Sequence, residues 1–291
     1  MLVVELSLAA LTLGGLYALI AMGLTLQYGV ARIMNLSHGE FMIGAAFLAY
    51  WLVTALGLQP MLALAIALPV GFALQWLVYQ TLLTPLVRRA TSPAALEADS
   101  ILATFGLLFV VQGIALVTFG GGYYAYSFLP MPVDVLGTAV AANRLLAAGS
   151  AIVISLAVYV VLVRTRWGAA MRATAGAPRF VHLIGVDPRA MAAFAFALGG
   201  ALVVGAGVLV SMFLPFSASM GVTFTMKALV IVIMGGVGNL MGCLLAGLLL
   251  GLVETLVLRF VDPGLTLAAT FAIFLLVLLF RPHGLFGRAT H

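Results

Sequence analysis

Long apolar stretches separated by short polar breaks run along almost the whole chain. Stretches of about 17–25 apolar residues can cross a bilayer as helices, and lipid admits only helices or closed barrels. They predict helices near 8–30, 38–56, 60–84, 100–119, 145–163, 190–212, 240–258 and 265–280, and a further helix of undetermined depth from 222 to about 234. The sequence therefore predicts an all-α polytopic membrane bundle of eight or nine transmembrane segments, some of them broken or re-entrant.

Composition supports the same class. Hydrophobic residues make up 65% of the 291 residues and charged residues 7%, against about 25% charged in soluble domains. No polar stretch is long enough for a separate soluble domain, so residues 1–291 are predicted to form a single transmembrane domain. Residues 1–30 lack the features of a cleaved signal peptide and are expected to remain as the first span. The single cysteine, Cys243, argues against a disulfide framework or a metal cluster.

The basic residues predict the orientation of the chain. Residues 164–189 hold five arginines and one acid, Asp187, and further arginines stand at 88, 89, 281 and 288. Placing them in the cytoplasm obeys the positive-inside bias and leaves Arg144 and Arg259 as the main exceptions. Glu5 then faces outward, so the number of crossings is odd. The net charge of +5 is thus a topology signal and not a sign of nucleic-acid binding.

Local signals mark several helix starts. Asp187 and Asp262 each precede a proline, as N-cap acids do, and Ser92 before Pro93 predicts a short interfacial helix. Ser37 and Glu40 have the spacing of a capping box that would open the second span.

The most polar break lies beside the first span and consists of Asn35-Leu36-Ser37-His38-Gly39-Glu40, between the uncharged stretches 6–30 and 41–58. An ionisable group at bilayer depth costs about 2.5–3.5 kcal/mol on insertion scales and often marks a functional site. Asn35, His38 and Glu40 are therefore candidates for the substrate pathway. The alternative is structural: a capping carboxylate for Glu40, and buried hydrogen bonds for Asn35 and His38. The break favours a conduit over a simple anchor.

A second break contains Gly235, Gly236 and Gly238, which are pathway candidates because an unwound turn at membrane depth either lines a cavity or is packed in protein. Its pairing with residues 35–40 is typical of the broken helices of transporters. Two charged residues stand in the apolar stretches nearby. Lys227 is expected to snorkel toward the outer interface, and Glu254 to make a buried polar contact between helices. The pairs Gly238/Gly242 and Gly247/Gly251 favour close helix packing within the chain or between subunits.

The basic segment 164–189 contains a short amphipathic pattern. Phe180, Leu183 and Ile184 recur at i, i+3 and i+4, which predicts a short helix with one apolar edge and Pro178 in its first turn. Such a helix could lie in the lipid interface or insert into a cleft on a partner subunit. The residues alone leave both open.

Nothing in the sequence predicts catalysis. There is no phosphate-binding Gly-x-x-x-x-Gly-Lys-Ser/Thr loop, no His-Glu-x-x-His and no Gly-x-Ser-x-Gly motif. His38 and Glu40 are two positions apart and would point to different sides of a helix, which makes them a poor metal pair. We expect neither an enzyme nor a cofactor or metal held by this chain.

Short motifs spread over residues 11–288 occur together in one known family. They are Gly15–Leu19, Gly23–Leu26, Tyr28–Val30, Asn35–Phe41, Thr165–Gly168, Arg172–Ala173, Leu183–Val186, Gly235–Asn239, Gly251–Glu254 and Arg281–Gly287. In this combination the chain resembles the LivH-type permeases, the membrane subunits of bacterial ABC importers for branched-chain amino acids.

The resemblance implies an inner-membrane permease that pairs with a second, related permease. Two cytoplasmic ATPase subunits would hold the ATP, and a periplasmic binding protein would deliver the substrate. It makes segment 164–189 the ATPase-coupling segment, with Arg172, Ala173, Phe180, Leu183, Ile184 and Gly185 as candidates. This favours docking over the lipid interface. The chain departs from the family pattern after Ala173, where the usual acidic residue is missing.

The function that we expect is import of branched-chain or similar apolar amino acids, driven by ATP on the partner subunits. A permease for urea or short amides from the same superfamily is the first alternative. A self-contained secondary transporter or channel is the second, although such proteins usually carry ionisable residues within several spans.

Overall fold

Most of the chain is helical in the computed structural model, which describes residues 2–178, 180–282 and 284–286. The α-helices are α1 (Leu2–Ala31), α2 (His38–Leu56), α3 (Pro60–Val78), α4 (Thr84–Arg89), α5 (Pro93–Phe119), α6 (Ala142–Arg164), α7 (Arg166–Gly176), α8 (Pro188–Ser211), α9 (Gly221–Gly235), α10 (Leu240–Phe260) and α11 (Thr266–Phe280). A π-helical turn (Tyr79–Leu83) joins α3 to α4. Single 3₁₀ turns lie at Val181–Ile184 and Pro263–Leu265. The strands β1 (Pro132–Val135) and β2 (Thr138–Ala141) form an antiparallel hairpin.

The membrane helices agree with the predicted polytopic fold. Within the described residues, eight helices are long and apolar enough to cross a membrane, and Pro60–Arg89 is one of them. The ninth apolar helix, α9, has only 15 residues. Asp187 and Asp262 cap helical turns as predicted, accepting backbone N–H bonds of 2.9 and 2.6 Å.

One predicted boundary is wrong. Ser92 does cap a helix, because its hydroxyl oxygen accepts the N–H of Ala95 at 3.1 Å. That helix is not a separate short one, however, and continues as α5 to Phe119. Residues 94–99 contain neither Gly nor Pro to interrupt it.

Helix α8 lies at the centre of the bundle, since nearly all of its residues from Met191 to Ser211 are buried. It contacts α1, α2 and α3. Small residues make these contacts possible: a Cβ added at Gly199 would collide with the carbonyl oxygen of Gly23 on α1, and one at Gly207 with the carbonyl oxygen of Met42 on α2.

Helices α1 and α10 pack backbone against backbone. A Cβ at Gly251 would collide with the backbone of Gly14, and one at Gly247 would lie 2.6 Å from the amide nitrogen of Ala18. The Gly247/Gly251 pair therefore serves packing within the chain. For the other pair, Gly242 packs on Gly235, whereas a Cβ at Gly238 would meet nothing within 4 Å.

Two helices begin inside the bundle instead of at its ends. After α1, residues 32–37 leave the helix and turn back along it, so that His38 at the start of α2 lies against Ile20 and Gly23 in the middle of α1. After α8, residues 212–220 turn back in the same way, and α9 begins where Gly221 meets Gly39. Each re-entrant segment thus brings a helix N-terminus to mid-depth.

The two ends of the bundle differ in charge. We call the end where α1, α4 and α6 finish and α8 and α10 begin the basic end. Its arginines are Arg32, Arg88, Arg89, Arg164, Arg166, Arg172, Arg189 and Arg281. Helix α9 also finishes there, since Met234 accepts a 2.7 Å bond from the N–H of Leu285. Over the described residues, segment 212–220 and α9 run back to the basic end beside the eight longer helices. The odd number of membrane crossings stays a prediction.

Candidate functional site

Asn35 ties the first re-entrant segment to the bundle. Its Oδ1 accepts bonds from the backbone N–H and the hydroxyl of Ser37, at 3.1 and 2.6 Å, while its Nδ2 donates to Oε1 of Gln27 at 3.1 Å. Gln27 in turn donates to the carbonyl oxygen of Phe196 on α8 at 3.1 Å. All of Asn35, Ser37 and Gln27 are buried. Asn35 therefore holds a fixed turn, and Gln27 is a member of this site that the sequence did not identify.

The predicted capping box does not form. Ser37 makes no side-chain cap of α2, because its hydroxyl donates to Asn35. The free N–H at the start of α2 is satisfied from another helix: Gly39 donates to Oγ1 of Thr225 on α9 at 2.8 Å. Tertiary contacts therefore replace the local cap.

His38 is fully buried against α1. Its Nε2 lies 3.0 Å from the carbonyl oxygen of Ile20, so the Nε2–H donates to this carbonyl. Its Nδ1 is buried without a hydrogen-bond partner among the described residues. A Cβ at Gly23 would lie 3.2 Å from the ring. The ring fills a notch that this glycine leaves in α1.

The Glu40 carboxylate lies against the start of α9 and not over the start of its own helix. The side chain is 2% exposed, and its carboxylate lies so close to Gly221 at the start of α9 that a Cβ there would collide with it. The backbone amide of Val222 faces the carboxylate. A negative charge at a helix N-terminus interacts favourably with the helix dipole. Oε1 of Glu40 has no hydrogen-bond partner among the described residues.

The N-termini of α2 and α9 thus meet around Gly39, Glu40 and Gly221. A Cβ at Gly39 would collide with the carbonyl oxygen of Gly221, so the two helix starts touch through backbone. In transporters, paired broken helices form solute sites near mid-membrane, where helix N-termini supply free N–H groups. We call Asn35, His38, Gly39, Glu40, Gly221 and Thr225 the central junction.

The glycine break lies elsewhere. Gly235 packs on Gly242, with 2.5 Å between an added Cβ and the carbonyl carbon of Gly242, and Gly236 and Gly238 have φ of 93° and 81°. Gly238 lies beside Gly29, near the basic end of α1. The structure therefore does not bring Gly235, Gly236 and Gly238 to the central junction. The counterpart of residues 35–40 is segment 212–220, not 235–239.

The basic segment contains two helical pieces. Thr165 caps α7 by accepting the N–H of Gly168 at 3.2 Å. Beyond α7, the expected apolar helix is a single 3₁₀ turn, Val181–Ile184, which Gly185 caps with a φ of 73°. Pro178 precedes this turn and is not in it, and Arg179 lies outside the described residues. The predicted short helix is thus one turn only, because the positive φ of Gly185 ends it.

The predicted apolar edge is exposed. Phe180, Leu183 and Ile184 are 67%, 83% and 68% exposed, whereas Val181 between them is 3% exposed and anchors the turn. We call Phe180, Leu183 and Ile184 the apolar knob. Arg172 is also exposed, and its guanidinium donates to the carbonyl oxygen of Val163 at 3.4 Å; Ala173 is half-buried.

A buried charge cluster joins four helices. The Lys227 ammonium contacts the Glu254 carboxylate at 2.8 Å, and Glu254 also accepts the hydroxyls of Tyr17 and Thr270 at 2.6 and 2.7 Å. The expected buried contact of Glu254 is therefore confirmed. The expected snorkelling of Lys227 is wrong, because its charge is neutralised inside the bundle by a carboxylate on α10.

The described residues include no group of three or more His, Cys, Asp or Glu side chains that could hold a metal ion. Cys243 is buried, with its sulfur 2.8 Å from Oγ1 of Thr25. At the central junction the starts of two helices touch through backbone and polar groups, inside an otherwise apolar bundle. That arrangement is suited to movement of α2 against α9, or to a path for a solute between them.

Comparison with known proteins gives a match along nearly the whole chain. The model of a family described as branched-chain amino acid transport system / permease component matches residues 6–280. The chain is 29% identical to the high-affinity branched-chain amino acid transport system permease protein BraD of Pseudomonas aeruginosa, over 96% of this chain and 94% of BraD.

Two further comparisons agree. LivH of Escherichia coli K12, with the same descriptive name, is 29% identical over 95% of this chain and 93% of its own. Among solved structures, PsaBC from Streptococcus pneumoniae in complex with Fab is similar, with a TM-score of 0.50, 13% identity, and coverage of 96% of this chain and 92% of that chain. At that identity the likeness concerns the fold alone.

Proposed function

This chain belongs to the family of branched-chain amino acid transport system permease components, and on that premise we propose that it is the membrane-spanning permease subunit of a bacterial ABC importer for branched-chain or similar apolar amino acids. It acts in the inner membrane as one transmembrane domain. A second related permease, two cytoplasmic ATPase subunits and a periplasmic binding protein complete the transporter. ATP is held by the ATPase subunits and not by this chain.

The observation that carries the proposal is the family match over 275 of 291 residues, counted from 6 to 280. The relatives' names support apolar amino acids over urea or short amides, and a transport system over a self-contained channel. The fold fits a permease, because two re-entrant segments bring the N-termini of α2 and α9 together inside the bundle.

The basic end faces the cytoplasm in this proposal, as the positive-inside bias favours. The apolar knob then projects toward the ATPase subunits. Phe180, Leu183 and Ile184 are exposed on a turn that Val181 anchors, and a short apolar projection of this kind fits a cleft on a partner.

The same geometry suggests how movement reaches the interior. Helix α7 is held to the end of α6 by the bond from Arg172 to Val163, and α8 starts just after the knob. Because α8 is the central helix and contacts α1, α2 and α3, a displacement of the knob is transmitted to the helices around the central junction. Closure of the ATPase dimer on ATP would thus switch the permease between outward-open and inward-open states.

Reconstitution tests the proposal. The complete transporter in proteoliposomes should accumulate L-leucine only with internal ATP and external binding protein, and should not accumulate urea or acetamide. Accumulation of leucine by this chain alone, or preference for urea, would contradict it.

A further inference from the structure

At the end opposite the basic end, α1, α6 and α10 line a half-open cavity of about 250 Å³ beside the loop that follows α8. Three exposed charged side chains line it: Glu5, Arg144 and Arg259. The rest of the wall is mainly apolar and includes Leu13, Phe213 and Leu258. On this measure of volume a single water needs about 10–15 Å³, so the space suits one small solute.

The two arginines are exceptional in their positions. Both lie at the end away from the arginine-rich loops, against the positive-inside bias. Arg144 is the third residue of α6, where a positive charge opposes the positive end of the helix dipole. Neither arginine has a carboxylate within ion-pair distance in the described part of the chain. Arg259, in contrast, lies in the last turn of α10, where a positive charge complements the helix dipole. Two guanidiniums without a carboxylate partner thus share one cavity, which makes it suited to an anionic ligand.

The third charged side chain, Glu5, restricts the kind of ligand that the cavity could bind. Glu5 lines the same cavity without an ion-pair partner among the described residues, so its carboxylate is available to a cation. A ligand that carries an anionic group, a cationic group and an apolar body could bind the two arginines, Glu5 and the apolar residues of the lining at once. Neutral amides such as urea carry no charged group that could pair with the arginines or with Glu5.

We propose that this cavity is a binding subsite for the zwitterionic head of an α-amino acid with an apolar side chain. The α-carboxylate binds Arg144 and Arg259, the α-ammonium binds Glu5, and the side chain lies on Leu13, Phe213 and Leu258. Guanidiniums bind carboxylates through paired, charge-assisted hydrogen bonds. The inference rests on the proposed function, since it makes this cavity the first site in the permease to receive the solute.

Thiol protection tests the subsite at concentrations where a weak ligand still binds. Ala9 lines the cavity and Cys243 is buried, so Ala9→Cys places one reactive thiol of this chain at the site, with Leu6→Cys as a second reporter. The assembled transporter, without nucleotide or binding protein, is labelled with N-ethylmaleimide. L-leucine should slow labelling, whereas leucinamide and 4-methylpentanoate, which each lack one charge, should not.

Charge variants complete the test. Arg144→Gln and Glu5→Gln should raise the leucine concentration for half-protection about tenfold or more, the loss expected for one charge-assisted bond. Arg88→Gln, an exposed arginine at the basic end, should leave it unchanged. No protection by leucine with either reporter, or equal protection in Arg144→Gln, overturns the proposal.

Three other outcomes are distinguishable. If the wild-type transporter accumulates leucine but the cavity shows no protection, the subsite is wrong and the proposed function stands. If wild type accumulates no amino acid, both fail. Variants that keep leucine protection but lose stimulation of ATP hydrolysis by the binding protein overturn the subsite and make this surface a docking site for that protein.

Discussion

The ammonium of Lys227 lies 2.8 Å from Oε1 of Glu254, and the two side chains are only 12% and 3% exposed. Lys227 also donates to the hydroxyl of Tyr17 at 2.8 Å. The ion pair therefore joins α9, which begins at the central junction, to α10 and α1. A charge buried at such a place is stable only when it is neutralised and its hydrogen bonds are satisfied.

Removing one partner should be costly. Lys227→Met leaves the Glu254 carboxylate buried without its cation and should lower the free energy of unfolding by about 3–5 kcal/mol. The double variant Lys227→Met/Glu254→Leu removes both charges and should lose clearly less than the sum of the single variants. The measurement is the unfolding midpoint of the purified transporter in one detergent.

Arg89→Gln, an exposed arginine at the basic end, is the control and should not shift the midpoint. Additive losses in the double variant would show that the pair does not stabilise the bundle as a unit.

The two glycines of α2 should respond differently to the same change. Gly39→Ala places a Cβ against the carbonyl oxygen of Gly221, while a Cβ at Gly44 meets nothing within 4 Å. Crowding of a packed contact costs about 1–3 kcal/mol, so Gly39→Ala should destabilise the protein and reduce leucine uptake. Gly44→Ala should be neutral or slightly stabilising, because Ala favours helix by about 0.5–1 kcal/mol over Gly.

Unfolding midpoints and uptake of both variants, measured side by side, check this expectation. Equal effects would mean that α2 and α9 do not meet as closely as the central junction requires.

The sequence predicted the membrane helices well because their signal is local. Uninterrupted apolar residues decide each span, and N-caps such as Asp187 are read from adjacent positions. Glu254 was also predictable as a buried contact, because a carboxylate in an apolar helix must find a partner.

The central junction was less predictable because its bonds join distant parts of the chain. Gly39 bonds to Thr225, 186 residues away, and this contact replaces the local capping box. No spacing along the sequence shows that Glu40 lies against Gly221. For the same reason the counterpart of the polar break was expected at Gly235, although segment 212–220 is the one that turns back into the bundle.

The apolar knob offers a matched pair of substitutions. Leu183→Asp changes an exposed residue and should leave folding intact while lowering uptake, because the charge prevents docking in an apolar cleft. Val181→Asp buries a charge at a position that is 3% exposed and should reduce the yield of folded protein. Uptake and ATP hydrolysis are measured on the assembled transporter.

The expected signature of Leu183→Asp is ATP hydrolysis that no longer responds to substrate-loaded binding protein. Normal assembly and normal uptake in both Leu183→Asp and Ile184→Asp would rule out the knob as the coupling element.

Glu40 should act mainly by stabilising the start of α9, against which its carboxylate lies. Glu40→Gln keeps the size of the side chain but removes the charge that faces the start of α9, and the lost interaction with the helix dipole is worth about 0.3–2 kcal/mol. The unfolding midpoint should therefore fall, and leucine uptake should fall only in proportion to the folded protein. Asp99→Asn, an exposed acid on α5, is the neutral control. Near-zero uptake in a Glu40→Gln protein with an unchanged midpoint would instead assign the carboxylate, whose Oε1 has no partner among the described residues, a direct role in the solute path.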